Sequence, residues 1–483
     1  MLNELPEALL PDYSRRTFNG VQSCINFFAE KTADGYQLIS SNGRVEINTT
    51  AGPTAFACGY VASTGQIFFT AGGVLYEFVP ASGLVFNRGA IGSSNRGDLT
   101  MADDGYKMLL SNGYVYDLVA NTHVTITDPN FPAGTKSVAY MDGAFLAAQP
   151  NTETFFVSEI GDPTVWTPAE FANANAFGDK LQHIVACNNN LYMFGRTTIE
   201  VWYNSRSSTF IFDRLAGATQ TLSLLERVTC KYAKSVYFIT TGETSQFSVW
   251  RLTDSSVEKI STPQIEQMLS QMITTLPTTI LSTYNYGGHV FLMVSVADTD
   301  RPTLFYDITE GLWFERTSYQ SAAPSTPAPF FAAFACNLPS SSYADHAIFF
   351  DKDTSAISSS GTSLPVNDDD GNPITRERTF GPLESRGNNL FHSKIRFELE
   401  SLHDIDSPYS LSATLEWSDN AGKDWSTPLT MTRSVADGDG QLVTLEARRL
   451  GSSRQRYYKI KFVGPAAKII IKKVWLDATE GDS

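Results

Sequence analysis

Long helical periodicity is nearly absent from this chain of 483 residues. No apolar run approaches the roughly 18 residues that a membrane-spanning helix needs. A helical bundle and a helical membrane protein are therefore not expected. One stretch, "TPQIEQMLSQMITTL", places Ile265, Met268, Leu269 and Met272 at helical spacing and reads as a short helix.

Cysteine is sparse. Cys24, Cys58, Cys187, Cys230 and Cys336 lie far apart, are odd in number, and form no CxxC pair and no Cys/His metal spacing. They read as buried reduced thiols, so neither a disulfide framework nor a metal centre is expected. His183 and His289 sit in strand-like runs and read as structural histidines. No Gly-rich loop follows a strand and opens a helix to cradle a phosphate, and no cofactor is expected. The opening "MLNELPEALLPDYSRRTFNG" has neither the basic start nor the apolar core of a secretory signal, so synthesis as a soluble protein in the cytoplasm is the expectation.

Basic charge is also in short supply, with 36 Lys and Arg against 51 Asp and Glu and a net charge of −15. The imbalance is uneven. From Arg376 onward there are 16 basic and 15 acidic residues, so the acid excess belongs to the first three quarters. Such a surface repels phosphates and argues against tight nucleic-acid binding there. It suits solubility, and it also suits a passage along which DNA slides without sticking.

What the chain has in quantity is aromatic residues, at 12%, and short clusters of Gly, Ser, Thr and Asn. These describe a β-rich protein with many tight turns. An alternating strand, a turn on Gly or Asn, a second strand and a third ending near an aromatic recur along the sequence. Copies begin at "GQIFFTAGGVLYEF", "GYKMLLSNGYVYDL", "DGAFLAAQPNTETFFVSEI", "NNLYMFGRTTIEVWY", "KSVYFITTGETSQFSVWRL" and "GGHVFLMVSVADTDRPTLFYD". A weaker copy lies in "FFAAFACN" and "ADHAIFFDK". The spacing of about 40 to 50 residues is that of four-stranded propeller blades. Packed radially, each small sheet covers its neighbours' apolar faces. The expected fold is all-β: a six- or seven-bladed β-propeller followed by a C-terminal β-sandwich. Segment 35–60 is a candidate for the strand that closes the last blade. A pair of sandwiches or a β-solenoid fits the spacing less well. Glu200, within "TTIEVWY", is expected to point outward from a buried face.

The composition shifts after residue 350 to Ser, Asp, Gly and Pro, as a linker would. "NDDDGNP" lacks the alternating ligands and closing Glu of an EF-hand and reads as a solvated acidic turn. Expected boundaries are an N-terminal arm over 1–34, the propeller over 35–362, a linker over 363–390 and the sandwich over 391–483. Within the sandwich, "SDNAGKDW" resembles an Asp-box turn, with Asn420 standing for the Asp and Asp424 for the Thr, and Asp boxes are structural. Between Glu446 and Asp477 lie Arg448, Arg449, Arg454, Arg456, Lys459, Lys461, Lys468, Lys472 and Lys473 with no acid among them. On alternating strands these would form one basic face, either solvated or docking an acidic partner such as the propeller of a neighbouring copy, or nucleic acid.

The run "VAYMDGAFLAAQPNTETFFVSEIGDPTVW", followed by "IVACNNNLYMFGRTTIEVWYN" and "GATQTLSLLERVTCKYAKSVYFI", resembles the blades of the packaged-DNA-stabilising tail-hub proteins of short-tailed bacteriophages, also called tail accessory factors or nozzle proteins. The resemblance is good over about residues 130–265 and elsewhere lies in layout; the family's Pro-rich start is matched only loosely by "QSCINFFAE". It implies a non-enzymatic virion protein of the phage tail, expected to form a homo-oligomeric ring, a hexamer, below the portal and adaptor proteins. Such a ring retains packaged DNA, extends the ejection channel without sequence-specific DNA contacts, and anchors a tail needle and tail fibres or tailspikes. The enzyme alternative is a propeller glycosidase or sialidase, and a sialidase needs an arginine cluster for the substrate carboxylate, a Tyr–Glu nucleophile pair and an acidic proton donor. Arg196, Arg214, Arg251 and Arg316 are available, but no spacing selects three. A carbohydrate-binding propeller scaffold is the third class.

Overall fold

Alternating Val, Ile, Phe and Tyr residues form strands, and Gly or Asn residues at positive φ form the turns between them. Gly72 and Gly73, with φ of 56° and 79°, make the two-residue turn between Ile67–Ala71 and Val74–Val79. A primed turn of this kind matches the strand twist and is strained for a side chain with a Cβ. The computed structural model describes residues 2–11, 13, 22–48, 55–92, 95–174, 178–207, 210–241, 246–273, 278–297, 299–318, 329–337, 346–361, 368–385, 387–403, 409–435, 441–463 and 467–481.

Six four-stranded antiparallel blades are each built from one continuous stretch of chain. Blade 1 runs from Phe56–Val61 to Leu84–Ala90, blade 2 from Met101–Asp103 to Thr122–Thr125, and blade 3 from Val138–Met141 to Asp162–Asn173. Blade 4 runs from Leu181–Cys187 to Phe212–Arg214, blade 5 from Leu224–Tyr232 to Ser256–Lys259, and blade 6 from Thr279–Tyr286 to Leu312–Arg316. A seventh blade joins Ala332–Asn337, His346–Asp351 and Ile357–Gly361 to Val45–Asn48, so a strand from the expected segment 35–60 does close it. The first strands of all seven line one central cavity.

Packing between blades is apolar. Trp166, of the "DPTVW" stretch that opens the strand Asp162–Asn173, is buried between blades 2 and 3 with Leu109, Val115 and Phe145. Its indole Nε1 donates to the Pro163 carbonyl at 2.8 Å, and its backbone N–H donates to Asp128 Oδ2 at 2.8 Å. Glu200 is buried rather than outward and accepts the indole N–H of Trp202 at 2.9 Å. The reason is that a middle strand of a blade has a neighbouring blade on both faces, so alternation does not turn a side chain to solvent. The expected helix spans Pro263–Met272, with Thr262 as its N-cap and Ile265, Leu269 and Met272 buried.

After the propeller come two packed sheets. One contains Phe27–Thr32, Gly35–Ser40, Ala467–Glu480, Leu390–His403 and Gln441–Arg448, with Leu2–Glu4 added on Ala467–Glu480. The other contains Ser23–Ile25, Thr375–Glu384, Gln455–Val463, Tyr409–Ser418 and Leu429–Val435. It continues into blade 6 through the parallel pairing of Ile25 with Glu315. Phe397, Leu399, Leu415, Ile460, Phe462 and Ile471 fill the space between the two sheets. Segment boundaries therefore differ from those expected. Gly35–Ser40 belongs to the sandwich, and the stretch expected as linker contains the strand Thr375–Glu384, while residues 362–367 lie outside the described residues. In the "NDDDGNP" turn Asp369 is buried, and its charge partly offsets the burial that pushes the enclosed Arg376 guanidinium down to about 10. The Asp-box-like turn is capped as expected. Asn420 Oδ1 accepts from Asp424 N at 2.9 Å, and Gly422 has φ of 78°.

Arg378 fixes the N-terminal segment in this junction. Its side chain is buried and donates to the carbonyls of Ala8 (2.8 Å), Leu10 (2.9 Å), Glu7 (3.2 Å), Ser23 (3.2 Å) and Thr379 (2.9 Å). Removing the guanidinium leaves buried carbonyls without donors. Arg378→Ala should lower stability to urea by at least about 3 kcal/mol, read from the unfolding midpoint at unchanged slope.

Nearby, Glu315 is buried and accepts the Tyr13 hydroxyl at 3.0 Å. Burial pushes its carboxyl up to about 7; the Tyr13 hydrogen bond opposes this and the Glu377 charge adds to it. The folded state thus holds this proton more tightly than the unfolded chain. The corresponding stability is fully present below the ordinary Glu value near 4.3 and is lost as pH rises through about 7. Glu315→Gln keeps an acceptor for Tyr13 and removes the charge. Its melting temperature should match the wild type near pH 4 and exceed it at pH 8, measured by thermal denaturation across that range.

Candidate docking surfaces

The central cavity has a volume of about 730 Å³, which is the size of a small-molecule site and far too small for a DNA duplex. Its polar groups are largely bound to one another. Asp103 accepts the Tyr60 hydroxyl at 2.6 Å and the Ser63 backbone N–H at 3.1 Å. Arg227 contacts Asp98 at 2.9 Å. His183 lies 2.8 Å from Ser137 Oγ and 2.9 Å from Thr229 Oγ1, which links blades 3, 4 and 5. Burial, with the charges of Arg227 and Lys231, lowers its pKa to about 3, so it is a neutral strut. His289 is bonded to Asp307 Oδ2 at 2.7 Å and lies 3.6 Å from Glu30, across the propeller–sandwich junction.

The five cysteines are unpaired. Burial pushes the thiols of Cys24, Cys58 and Cys336 up to about 12 and that of Cys230 to about 11, so they stay protonated and poorly nucleophilic. Among the described residues no group of three His, Cys, Asp or Glu is placed to hold a metal ion.

The arginines of the glycosidase alternative do not converge. Arg196 and Arg214 are exposed on blade 4, and Arg251 pairs with Glu258 on the outer strands of blade 5. Arg316 is buried, donates to Tyr284 Oη at 3.0 Å and to the Asn42 carbonyl at 2.7 Å, and lies 4.2 Å from the centre of the Phe330 ring. It is a packing element between blade 6 and the N-terminal segment.

The nine basic residues expected on one face are divided between the two sheets of the sandwich. Arg456, Lys459 and Lys461 lie on Gln455–Val463, whereas Lys468, Lys472 and Lys473 lie on Ala467–Glu480. Alternation within each strand is real, but the two strands belong to opposite layers, so their outward faces point apart. Most of the nine also meet acids or are buried. Arg456 is buried and holds Asp419 with two hydrogen bonds of 2.6 and 2.8 Å. Lys459 contacts Glu416 at 2.5 Å and sits 4.2 Å from the Trp425 ring. Lys472 pairs with Glu400, and Lys473 lies 3.8 Å from Glu4. Lys461 and Lys468 are half-buried, and burial lowers the pKa of Lys468. Arg448, which meets Glu446 on its own strand, is exposed together with Arg449 and Arg454, and the three flank a single turn at one corner of the sandwich. Sequence spacing did not separate Arg449 and Arg454 from the paired residues, because most of the acid partners lie far upstream in the sequence.

Solved structures with a likeness to this chain share little of its sequence. One is the extracellular domain of the two-component system protein BT4673 from B. thetaiotaomicron, at 12% identity and a TM-score of 0.42, covering 66% of this chain and 40% of that one. Another is a chain of a mitotic checkpoint complex, at 11% identity and a TM-score of 0.40, covering 65% and 93%. A third is a copper-bound fungal alcohol oxidase of the AA5 family, at 11% identity and a TM-score of 0.38, covering 89% and 92%. This chain thus spans about 40% of the length of the first of them. No curated protein sequence matches it. The phage-stabilise family model, described as "Bacteriophage P22 Gp10, beta-propeller", matches residues 24–323, from the strand that joins the sandwich to blade 6 through the whole of blades 1 to 6. With well over half of its length matched, the chain belongs to this phage-stabilising β-propeller family.

Proposed function

We propose that this chain is a structural virion protein of a phage tail hub or nozzle. Copies assemble as a ring, six in number, below the portal and adaptor proteins. The ring retains packaged DNA, extends the ejection channel, and offers docking points for a tail needle and for tail fibres or tailspikes. No bond is made or broken.

Membership of the phage-stabilising family carries this reading. Charge supports it: residues before Arg376 hold 36 acidic against 20 basic residues. DNA is a polyanion, and a lumen walled by the acidic propellers would let it slide instead of binding it. The propeller's own cavity is too small for a duplex, and on this reading the DNA channel is the lumen between copies. Avidity supplies the hold on the portal complex. Each copy needs only a modest contact when its neighbours in the ring are bound alongside it.

Native mass spectrometry of the full chain, alone and mixed with the portal–adaptor complex of the same genome, tests the reading. The expected result is a defined ring, six copies per complex. Absence of binding at micromolar concentration would overturn it and leave the family likeness as one of fold.

A further inference from the structure

The turns after the first and third strands of each blade emerge at one end of the propeller, because the inner strands run in a common direction around the axis. At blades 2 and 3 this end carries the three most exposed large apolar side chains among the described residues: Tyr106 at 71%, Val119 at 72% and Ile160 at 73%. The turns that hold them are adjacent. The Leu118 N–H donates to the Tyr106 carbonyl at 2.8 Å, and Lys107 reaches from blade 2 to Asp162 of blade 3 at 3.3 Å.

Acids rim the patch. Asp104 accepts the Tyr106 N–H at 2.8 Å, and Asp117 accepts the N–H groups of Val119 and Ala120 at 2.9 and 2.7 Å. Those backbone donors hold the Asp117 carboxyl below its usual range. Glu159 directly precedes Ile160 and is exposed. An isolated apolar residue on a surface needs no explanation, but three strongly exposed ones in adjacent turns, bordered mainly by acids, are the kind of surface that a partner can cover.

The opposite chemistry stands at one corner of the sandwich. Phe391, 50% exposed, pairs with Ser452, and the turn leading into that pairing is flanked by Arg448, Arg449 and Arg454. Arg448 contacts Glu446 while its side chain stays 70% exposed. Among the described residues neither Arg449 nor Arg454 has an ion-pair partner. Here an apolar ring is bordered by cations.

We propose that these two surfaces meet between neighbouring copies, the acid-rimmed patch of blades 2 and 3 on one copy receiving the arginine corner of the next. The inference rests on the ring reading above and names its contact. Because the two surfaces differ, the contact is head to tail, and a constant rotation between copies closes it into a ring. Apolar burial supplies attraction. Charge sets the register and disfavours pairing of either surface with itself.

The test compares assembly of full-length proteins by native mass spectrometry and sedimentation, alone and with the portal–adaptor complex. They are the wild type, Arg449→Glu/Arg454→Glu, Val119→Lys/Glu159→Lys, and the chain carrying all four substitutions. Each double variant should need at least about tenfold more protein to form the ring, and the fourfold variant should assemble better than either, since its charges are again complementary while the apolar contact of Val119 stays lost. Phe391→Asp, at a separate exposed position, should weaken assembly as well. Unchanged melting temperatures identify variants whose loss is one of contact alone. A wild-type ring that both double variants and Phe391→Asp form equally well would overturn this contact and leave the ring reading standing. A wild type that forms no ring in either setting would overturn both.

Discussion

One length of chain, residues 2–48, adds strands to three different sheets, and the rest of the molecule is built around that path. Leu2–Glu4 extends the sandwich along Ala467–Glu480, and Ser23–Ile25 joins the second sandwich sheet to blade 6. Phe27–Ser40 forms a hairpin in the first sandwich sheet, and Val45–Asn48 then closes blade 7. A propeller whose last blade is completed from the other terminus cannot open without breaking that pairing. Here the closing strand is itself anchored in the sandwich a few residues earlier. Ring closure and the sandwich therefore share one continuous stretch of chain.

The charges found inside the protein follow this path. Arg378 spends its donors on the carbonyls of the first ten residues, Arg316 holds the Asn42 carbonyl, and Asn26 bonds Thr317 Oγ1 at 2.8 Å. Burying a guanidinium is costly unless its donors are satisfied, so these arginines contribute less as net stabilisers than as devices that accept one arrangement of the chain and penalise others. Glu315 and His289 sit at the same seam, and both are shifted above their ordinary values, Glu315 chiefly by burial and His289 against its burial by the acids beside it. For His289 the Asp307 hydrogen bond and charge outweigh burial, so both groups favour the protonated form, and the seam is strongest below neutrality.

The blades were legible because each repeats a local signal: alternation, a Gly or Asn turn, and an aromatic at the close of the third strand. The paired glycines Gly72 and Gly73 are a strong example. The helix was legible from its 3.6-residue spacing. Alternation does not say which sheet a strand joins, however, and Gly35–Ser40 reads the same in a blade or in a sandwich. Glu200 was placed outward for a related reason, since one strand's pattern does not reveal a second neighbouring sheet. The basic residues between Glu446 and Asp477 are continuous in sequence, yet their strands occupy opposite layers. The acid partners Glu416, Asp419 and Glu400 lie far upstream in the sequence, so spacing alone did not separate the exposed Arg449 and Arg454 from the paired residues.

If residues 2–48 unite the two parts, the molecule unfolds as a unit. Differential scanning calorimetry of the full chain at pH 6 is the direct measurement. The account predicts a single transition whose calorimetric and van't Hoff enthalpies agree, as an all-or-none process requires. Two resolved transitions, with the sandwich and the propeller melting separately, would contradict it.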